Sequence, residues 1–321
     1  MKKLSVAILG LGTVGGGAYH ILQNNKEAIS KSTGMDVRVT KILSRHPIQG
    51  IPDEMITDDP DEIFLDKSID LVVESIGGIE PATTFMLKAM ENKKHVVTAN
   101  KAAVANSYEK LRSASDVNHV EFLFEASVGG GIPILTAIQN PLSGNNFTEV
   151  MGIINGTTNY ILTKMTLEGA DYGDVLKDAQ EKGFAEADPT ADVEGIDVAN
   201  KLSILIALMF GEYIHPSLIP TDGISKITKE DIKDADRQGK VIKLIAHGWK
   251  ENGSIKASVK PEFLLKAHPL AGVNNEFNAV YVTGDMVGDV MLYGKGAGAL
   301  PTGSAVVGDI IRVAKKINDL C

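Results

Sequence analysis

Three stretches of this chain combine residue types and spacings that suit chemistry. The first is Gly10-Leu-Gly12-Thr13-Val14-Gly15, which follows an apolar run and opens a helix-like segment. In that setting Gly10 permits a tight turn, Gly12 lets backbone approach a pyrophosphate, and Gly15 lets helix and strand pack closely. Amides at the helix start, at Thr13 and Val14, would hold the phosphates. The second stretch, Val97-Thr-Ala-Asn-Lys101, ends a strand at the edge where open α/β sheets place their ligands, so Lys101 would face the crevice. The alternative, a plain surface lysine at a helix start, is disfavoured by the helix dipole.

The third stretch runs from Gly183 through Glu186, Asp188, Asp192, Glu194 and Asp197 to Lys201. Acidic residues crowding a helix start can be ordinary capping and dipole compensation. Asp197 and Lys201 are harder to explain that way. They stand at i and i+4 on one helix face, and Ile204 and Leu208 continue that face at i+7 and i+11. Burial disfavours a charged lysine while a carboxylate one turn away favours it, and such opposed pulls suit a group that must hold and pass a proton. A buried structural ion pair is the alternative.

The elements that must position these groups can be read from periodicity. Short apolar runs at Ser5–Leu9, Val37–Leu43, Asp70–Val73, His95–Val97 and Val120–Phe124 alternate with helical spacing such as Pro81–Asn92, which implies parallel strands in a doubly wound sheet. The second of these strands ends in Ser44-Arg45-His46 rather than in the Asp or Glu that usually meets an NAD ribose. Asp36 precedes the strand, at the edge away from a ligand. Arg45 can pair with a 2′-phosphate, or be a solvated surface arginine. The Gly triplet in Glu125-Ala-Ser-Val128-Gly-Gly130-Gly-Ile132 reads as a tight turn, although its carbonyls could ligate a hard cation.

The turn-rich Pro141–Asn146 separates this region from a second domain. There a strand is expected at Val150–Ile154, helices after Gly156, over Tyr172–Lys182 and over Asp192–Phe210, and a hairpin turning at Asn252-Gly253 between Lys243–His247 and Ser254–Val259. Strands at Ala279–Thr283 and Val287–Tyr293 and a helix over Gly303–Ile317 complete the chain. The expected architecture is therefore α/β, with a Rossmann-type doubly wound parallel sheet plus a second, α+β domain.

Composition narrows the class of protein. With 321 residues, a net charge of −9 and 44% hydrophobic residues, the chain is an ordinary two-domain globular composition. It lacks the basic block that nucleic-acid binding needs, and its longest apolar run, Leu202–Gly211, is about half a membrane span. A single cysteine, Cys321, points to a cytoplasmic compartment and allows no internal disulfide. Small-molecule partners are expected.

Seven motifs stand in order: GLGTVGGG at 10–17, VVESIGG at 72–78, VTANKA at 97–102, EASVGGGIPI at 125–134, INGTTNYIL at 154–162, GFAEADPTADVEGIDVANK at 183–201 and GAGALPTGS at 296–304. In these the chain resembles the homoserine dehydrogenase family over nearly its whole length. The resemblance implies NAD(P)-dependent interconversion of L-aspartate 4-semialdehyde and L-homoserine, in threonine and methionine biosynthesis. It makes Lys201 the proton donor, with Lys101 nearby to polarise the aldehyde, and gives Glu186, Asp197 and Asp192 to the substrate. Ser75 and Gly303 join Gly10, Gly12, Thr13, Val14, Gly15, Ser44, Arg45 and Lys101 on the cofactor side, and Arg45 leans the cofactor toward NADP, with NAD possible. A monovalent cation such as Na+ would be held at positions matching Glu125, Val128, Gly130 and Ile132. The resemblance also returns the last helix to the first domain, giving residues 1–135 with 303–321 for the dinucleotide and 136–302 for catalysis and dimerisation. A homodimer, linked through Cys321 across a two-fold axis, is expected. Many bacterial members continue into a regulatory ACT domain; this chain stops about where one would begin, so threonine inhibition through it is not expected.

Two other readings compete on the residues alone. A semialdehyde dehydrogenase forming an acyl phosphate would want a cysteine nucleophile in a cleft motif, and Cys321 stands outside any. An inert NADP-binding regulator would have no need of Lys101 together with the Asp197/Lys201 pair.

Overall fold

The computed structural model describes residues 1–319, and the expected Cys321 link lies outside the described residues. The chain divides into two compact units, Met1–Gly131 with Ala297–Cys321 and Ile132–Gly296.

In the first unit the chain runs β1 (Lys2–Leu9), α1 (Thr13–Asn24), α2 (Lys26–Thr33), β2 (Met35–Leu43), β3 (Ile56–Thr57), α3 (Asp61–Phe64), β4 (Leu71–Glu74), α4 (Ala82–Glu91), β5 (His95–Thr98), α5 (Lys101–Asn106), α6 (Tyr108–Asn118) and β6 (Phe122–Leu123), and a C-terminal helix spans Ala299–Asp319. The sheet order is β3-β2-β1-β4-β5-β6, with every pairing parallel. Strand order reverses between β1 and β4, which opens the crevice at their carboxyl ends. Strands covered on both faces must be apolar throughout, and Leu4, Val6, Ala7, Ile8 and Leu9 are all fully buried.

Several sequence expectations change in this unit. β3 is an additional edge strand, so the strand before Lys101 is the fifth rather than the fourth. The run expected over Val120–Phe124 is a strand only at Phe122–Leu123, because the Val120 amide donates to the Ser115 carbonyl of α6 and Phe124 turns into a 3₁₀ segment. Asp36 lies inside β2 rather than before it, where it pairs with Arg38; it still sits at the amino end of the strand, away from the crevice.

The C-terminal helix starts four residues earlier than its sequence suggests and packs on α1. A Cβ placed on Gly17 would lie 2.0 Å from the Ala299 carbonyl oxygen, and one on Gly303 would lie 2.7 Å from the Ala18 amide. Two glycines thus let these helices meet backbone to backbone.

The second unit holds α7 (Ile134–Gln139), β7 (Phe147–Ile153), α8 (Gly156–Glu168), α9 (Tyr172–Glu181), α10 (Thr190–Val193), α11 (Ile196–Phe210), α12 (Lys229–Arg237), β8 (Lys240–Glu251), β9 (Ser254–Leu265), β10 (Phe277–Gly284) and β11 (Gly288–Lys295). Its antiparallel sheet has the order β11-β10-β7-β8-β9. The β8–β9 hairpin turns at Asn252 and Gly253, both at positive φ, as a type I′ turn demands. Val150 and Gly248 face Ile206 of α11, so helices cover one side of the sheet. On the other side Met151, Ile153, Ile245 and Ala279 pack with Leu264, Leu270 and Val273.

The helix expected over Asp192–Phe210 is broken. Gly195, at φ 80°, separates α10 from α11, and its neighbours Thr221 and Val259 leave no room for a side chain. Asp197 consequently falls in the first turn of α11, where the helix dipole favours a carboxylate.

Lys243 of β8 is buried, with its ammonium donating to Asn159 Oδ1, Asn274 Oδ1 and the Val273 carbonyl. Burial pushes this lysine down to about 8 from its ordinary 10.5. The folded state therefore binds fewer protons than the unfolded chain between about pH 8 and 10.5, and the stability that Lys243 costs at neutral pH should return across that window. The Tm of the wild-type protein minus that of Lys243→Met should rise from pH 7.5 to 10; a flat difference would mean that Lys243 titrates like an exposed lysine.

Candidate active site

The crevice at the carboxyl ends of β1 and β4 is built by short-range rules and locked by side chains. Gly10, at φ 88°, turns the chain out of β1. A Cβ on Gly15 would stand 2.2 Å from the Gly10 carbonyl and 2.6 Å from Ser75 Oγ. That hydroxyl donates to the Gly10 and Leu9 carbonyls at 2.7 and 3.1 Å, so Ser75 pins the loop rather than pointing away from it. Gly12 is the N-cap of α1, and a Cβ built on it would meet no atom within 4 Å. Thr13, Val14 and Gly15 follow as the first helical turn, whose amides have no intrahelical acceptor. Open space above a bare helix start fits a dinucleotide pyrophosphate.

Ser44 closes β2, its amide donating to the Thr57 carbonyl and its hydroxyl to the His46 carbonyl. Arg45 is exposed and lines a cleft of about 380 Å³ with Ser44, His46, Asp53, Thr57, Asp58 and Glu62. The Arg45 cleft is thus not purely basic. Three carboxylates share its walls, so an anionic ligand group there would depend on Arg45.

At the carboxyl ends of β4 and β5 lies a residue that the spacing did not single out. Glu74 is fully buried; Oε2 accepts from Thr98 Oγ1 at 2.5 Å, and Oε1 accepts from the Ile76 amide at 2.9 Å and from Asn100 Nδ2 at 3.4 Å. Asn100 also caps α5 through the Ala103 amide and donates to the Gly78 carbonyl. This network holds the loop after β4 against the start of α5, where Lys101 is the first helical residue and is exposed.

Glu125, Val128 and Gly130 follow β6, and Gly129 and Gly130 both adopt positive φ. The Glu125 amide donates to Asp309 Oδ2 of the C-terminal helix at 2.8 Å. Burial pushes Asp309 up to about 7, with the Glu125 amide pulling it back and the Glu125 carboxylate adding to the rise. Ile132 is the first residue of the second unit. Among the described residues no three His, Cys, Asp or Glu side chains converge as metal ligands, so a cation in this loop would rest on backbone carbonyls.

A buried polar cluster of a different kind lies in the second unit. Lys201 Nζ donates to Asp197 Oδ2 and to the Ile154 carbonyl, each at 2.7 Å, and both residues are buried. The residue after Ile154 completes the cluster: Asn155 Nδ2 donates to Asp192 Oδ1 at 2.7 Å and to Asp197 Oδ2 at 2.9 Å. Asp197 and Lys201 are therefore paired, as their spacing suggested, and Asp192 joins them through a junction that was not suspected. Glu186 stands apart on the exposed loop between α9 and α10, where its carbonyl accepts from Gln180 Nε2. Asn155 had a readable signal, since Asn before Gly-Thr-Thr is a good helix cap, but its second role depends on contacts 37 and 42 residues away.

Comparison with known proteins agrees with this layout. The family pattern described as homoserine dehydrogenase matches residues 133–311, and that described as homoserine dehydrogenase, NAD binding domain, matches residues 10–125. The homoserine dehydrogenase of Bacillus subtilis (strain 168) is 44% identical over 321 residues, covering 99% of this chain and 74% of its own length. The crystal structure of a homoserine dehydrogenase from Thiobacillus denitrificans superposes with a TM-score of 0.96 at 42% identity, over 99% of this chain and 75% of that one. A hyperthermophilic archaeal homoserine dehydrogenase solved in complex with NADPH is 28% identical, with a TM-score of 0.82 and coverage of 98% of both chains. With a glycine loop at a strand-order switch in one unit and a buried lysine–aspartate pair in the other, matched along the full length by these relatives, the chain belongs to the homoserine dehydrogenase family.

Proposed function

We propose that this chain interconverts L-aspartate 4-semialdehyde and L-homoserine, with Lys201 as the proton donor and NADP(H) as the preferred cofactor. The observation that carries the reading is the buried Lys201–Asp197 pair on the Ile154 carbonyl. Burying both charges costs free energy that a purely structural apolar pair would not. An inert dinucleotide-binding regulator gives no return on that cost, whereas proton delivery to an aldehyde oxygen does.

When bound, the reduced nicotinamide supplies a hydride to the aldehyde carbon. The chain's own task is positioning and proton delivery. Lys201 Nζ gives its proton to the developing alkoxide oxygen, and Asp197 and the Ile154 carbonyl fix the direction from which it comes. In the oxidising direction the same nitrogen takes the alcohol proton. Glu186 and Asp197 would hold the substrate ammonium, Asp192 belongs to the same substrate region, and Lys101 would polarise the aldehyde. Gly10, Gly12, Thr13, Val14, Gly15 and Ser75 seat the pyrophosphate, with Gly303 behind α1.

Arg45 supports the preference for NADP(H), since a 2′-phosphate placed among Asp53, Asp58 and Glu62 needs a cation to offset them. The NADPH complex of the archaeal relative is in keeping with that. Backbone carbonyls of the Glu125–Ile132 segment suit a monovalent cation such as Na+. A homodimer is supported by the second unit's sheet, where Met291 and Tyr293 remain exposed on an edge strand.

Lys201→Ala should bind NADPH normally, since the glycine loop belongs to the other unit, while kcat falls about 10²–10⁴-fold, the scale for losing a general acid. Lys201→Arg should not rescue it, because a guanidinium keeps its proton. A near-normal kcat with a raised KM would reduce Lys201 to a binding group. Arg45→Ala should weaken NADP(H) roughly ten- to a hundredfold and leave NAD(H) nearly unchanged, as expected for one charge-assisted phosphate contact; equal losses would refute the phosphate role. Sedimentation velocity should report about twice the mass of the chain, and turnover should rise when sodium replaces choline in the buffer.

A further inference from the structure

The junction between β7 and α8 grips both members of the proposed proton-delivery pair. Ile154 ends the apolar strand and offers its carbonyl to Lys201; Asn155, the next residue, offers its amide to Asp197. Asn155 is 5% exposed, so each of its polar positions needs a partner inside the protein. All of them have one. Nδ2 donates one hydrogen to Asp192 Oδ1 and the other to Asp197 Oδ2, while Oδ1 accepts from the Thr158 amide at 2.9 Å and the Thr158 hydroxyl at 3.0 Å. Two carboxylates on one side and a backbone N–H on the other leave a single orientation for the amide.

We infer that Asn155 is a positioning residue for proton transfer, fixing Asp197 so that Lys201 is aimed, and not simply the N-cap of α8. The cap alone does not require asparagine: Ser or Asp would satisfy the Thr158 amide about as well. Neither can donate two hydrogens to two carboxylates. The amide also meets Asp197 at Oδ2, the oxygen that Lys201 uses. Two donors converging on one oxygen set where that oxygen sits, and hence where Nζ points. Docking of Asp192 on the second hydrogen ties α10 to the same fixed point, across the break at Gly195. Charged groups in this hydrogen-bonded shell include Asp192 from α10 and Asp197 and Lys201 from α11, while β7 and α8 contribute the neutral Ile154 carbonyl, Asn155 and Thr158.

This inference rests on the proposed role of Lys201, and the experiment separates the two. Asn155→Ser and Asn155→Asp both keep a capping oxygen and both lose the amide donors; the aspartate also adds a third carboxylate beside Asp192 and Asp197. For the full-length protein, kcat for NADPH-linked semialdehyde reduction should fall roughly ten- to a hundredfold in Asn155→Ser, the cost of a misaimed group, and further in Asn155→Asp. The Kd for NADPH should stay unchanged in both. A kcat within twofold of wild type in Asn155→Ser would leave Asn155 a cap and overturn the inference, as would loss of folding in both variants, which would give it a purely structural part. Lys201→Ala is measured alongside. If it keeps its kcat, the proton-donor reading itself fails; if it loses activity while Asn155→Ser does not, only the positioning role fails.

Discussion

A charged lysine and a charged aspartate, both withdrawn from water on one face of an apolar helix, impose the constraint around which the second unit is arranged. Each ion loses hydration that one partner cannot replace, so further polar contacts must be found inside the protein. They come from a strand that stops at the right residue. β7 pairs with β10 as far as Ile153, which leaves the Ile154 carbonyl outside the ladder and open to Lys201 Nζ. The helix that carries the pair begins at Ile196 because Gly195 breaks it, and that start gives Asp197 the favourable end of the helix dipole. Strand end, helix start and cap are separate local features that one electrostatic requirement brings into register.

The first unit obeys a different constraint, that of close backbone approach. Its crevice exists because strand order reverses between β1 and β4, and it stays open because glycines stand where any side chain would collide. Gly15 admits the Gly10 carbonyl, and Gly17 and Gly303 admit the C-terminal helix, so that helix docks on α1 and presents Asp309 to the Glu125 amide. Here too a buried carboxylate does the fixing: Glu74 ties the loop after β4 to the start of α5, and Asp309 ties the loop after β6 to the last helix. Buried acids holding loops by their amides give rigidity at the cost of desolvation. That exchange is reasonable at the rim of a ligand crevice.

Cofactor choice turns on a smaller balance. The end of β2 offers Arg45 and His46, but Asp53, Asp58 and Glu62 share the cleft, so the local field is mixed rather than basic. Preference for a 2′-phosphate then depends on the geometry of one guanidinium more than on net charge. That places discrimination in an exposed side chain, apart from the glycine loop that binds the part common to both dinucleotides.

Local pattern was enough to establish the glycine loop after β1, the parallel strands, the Asn252-Gly253 hairpin and the pairing of Asp197 with Lys201, because each depends on residues within one turn of helix, one strand or one loop. The positive-φ break at Gly195 was missed for the same reason: the acidic run around it satisfies helix-start rules on both sides, and the crowding by Thr221 and Val259 that demands glycine comes from distant chain. The extra strand β3 was too short to show a period. The long-range roles of Glu74, Asp309 and Asn155 carry no local mark, since the partners that define them lie 24, 184 and 42 residues away. Residue types and spacings thus name the side chains able to do the chemistry and the elements on which they stand. What holds them still is settled by long-range packing, because a buried polar group is satisfied by whatever the fold brings beside it, and proximity of that kind has no sequence period.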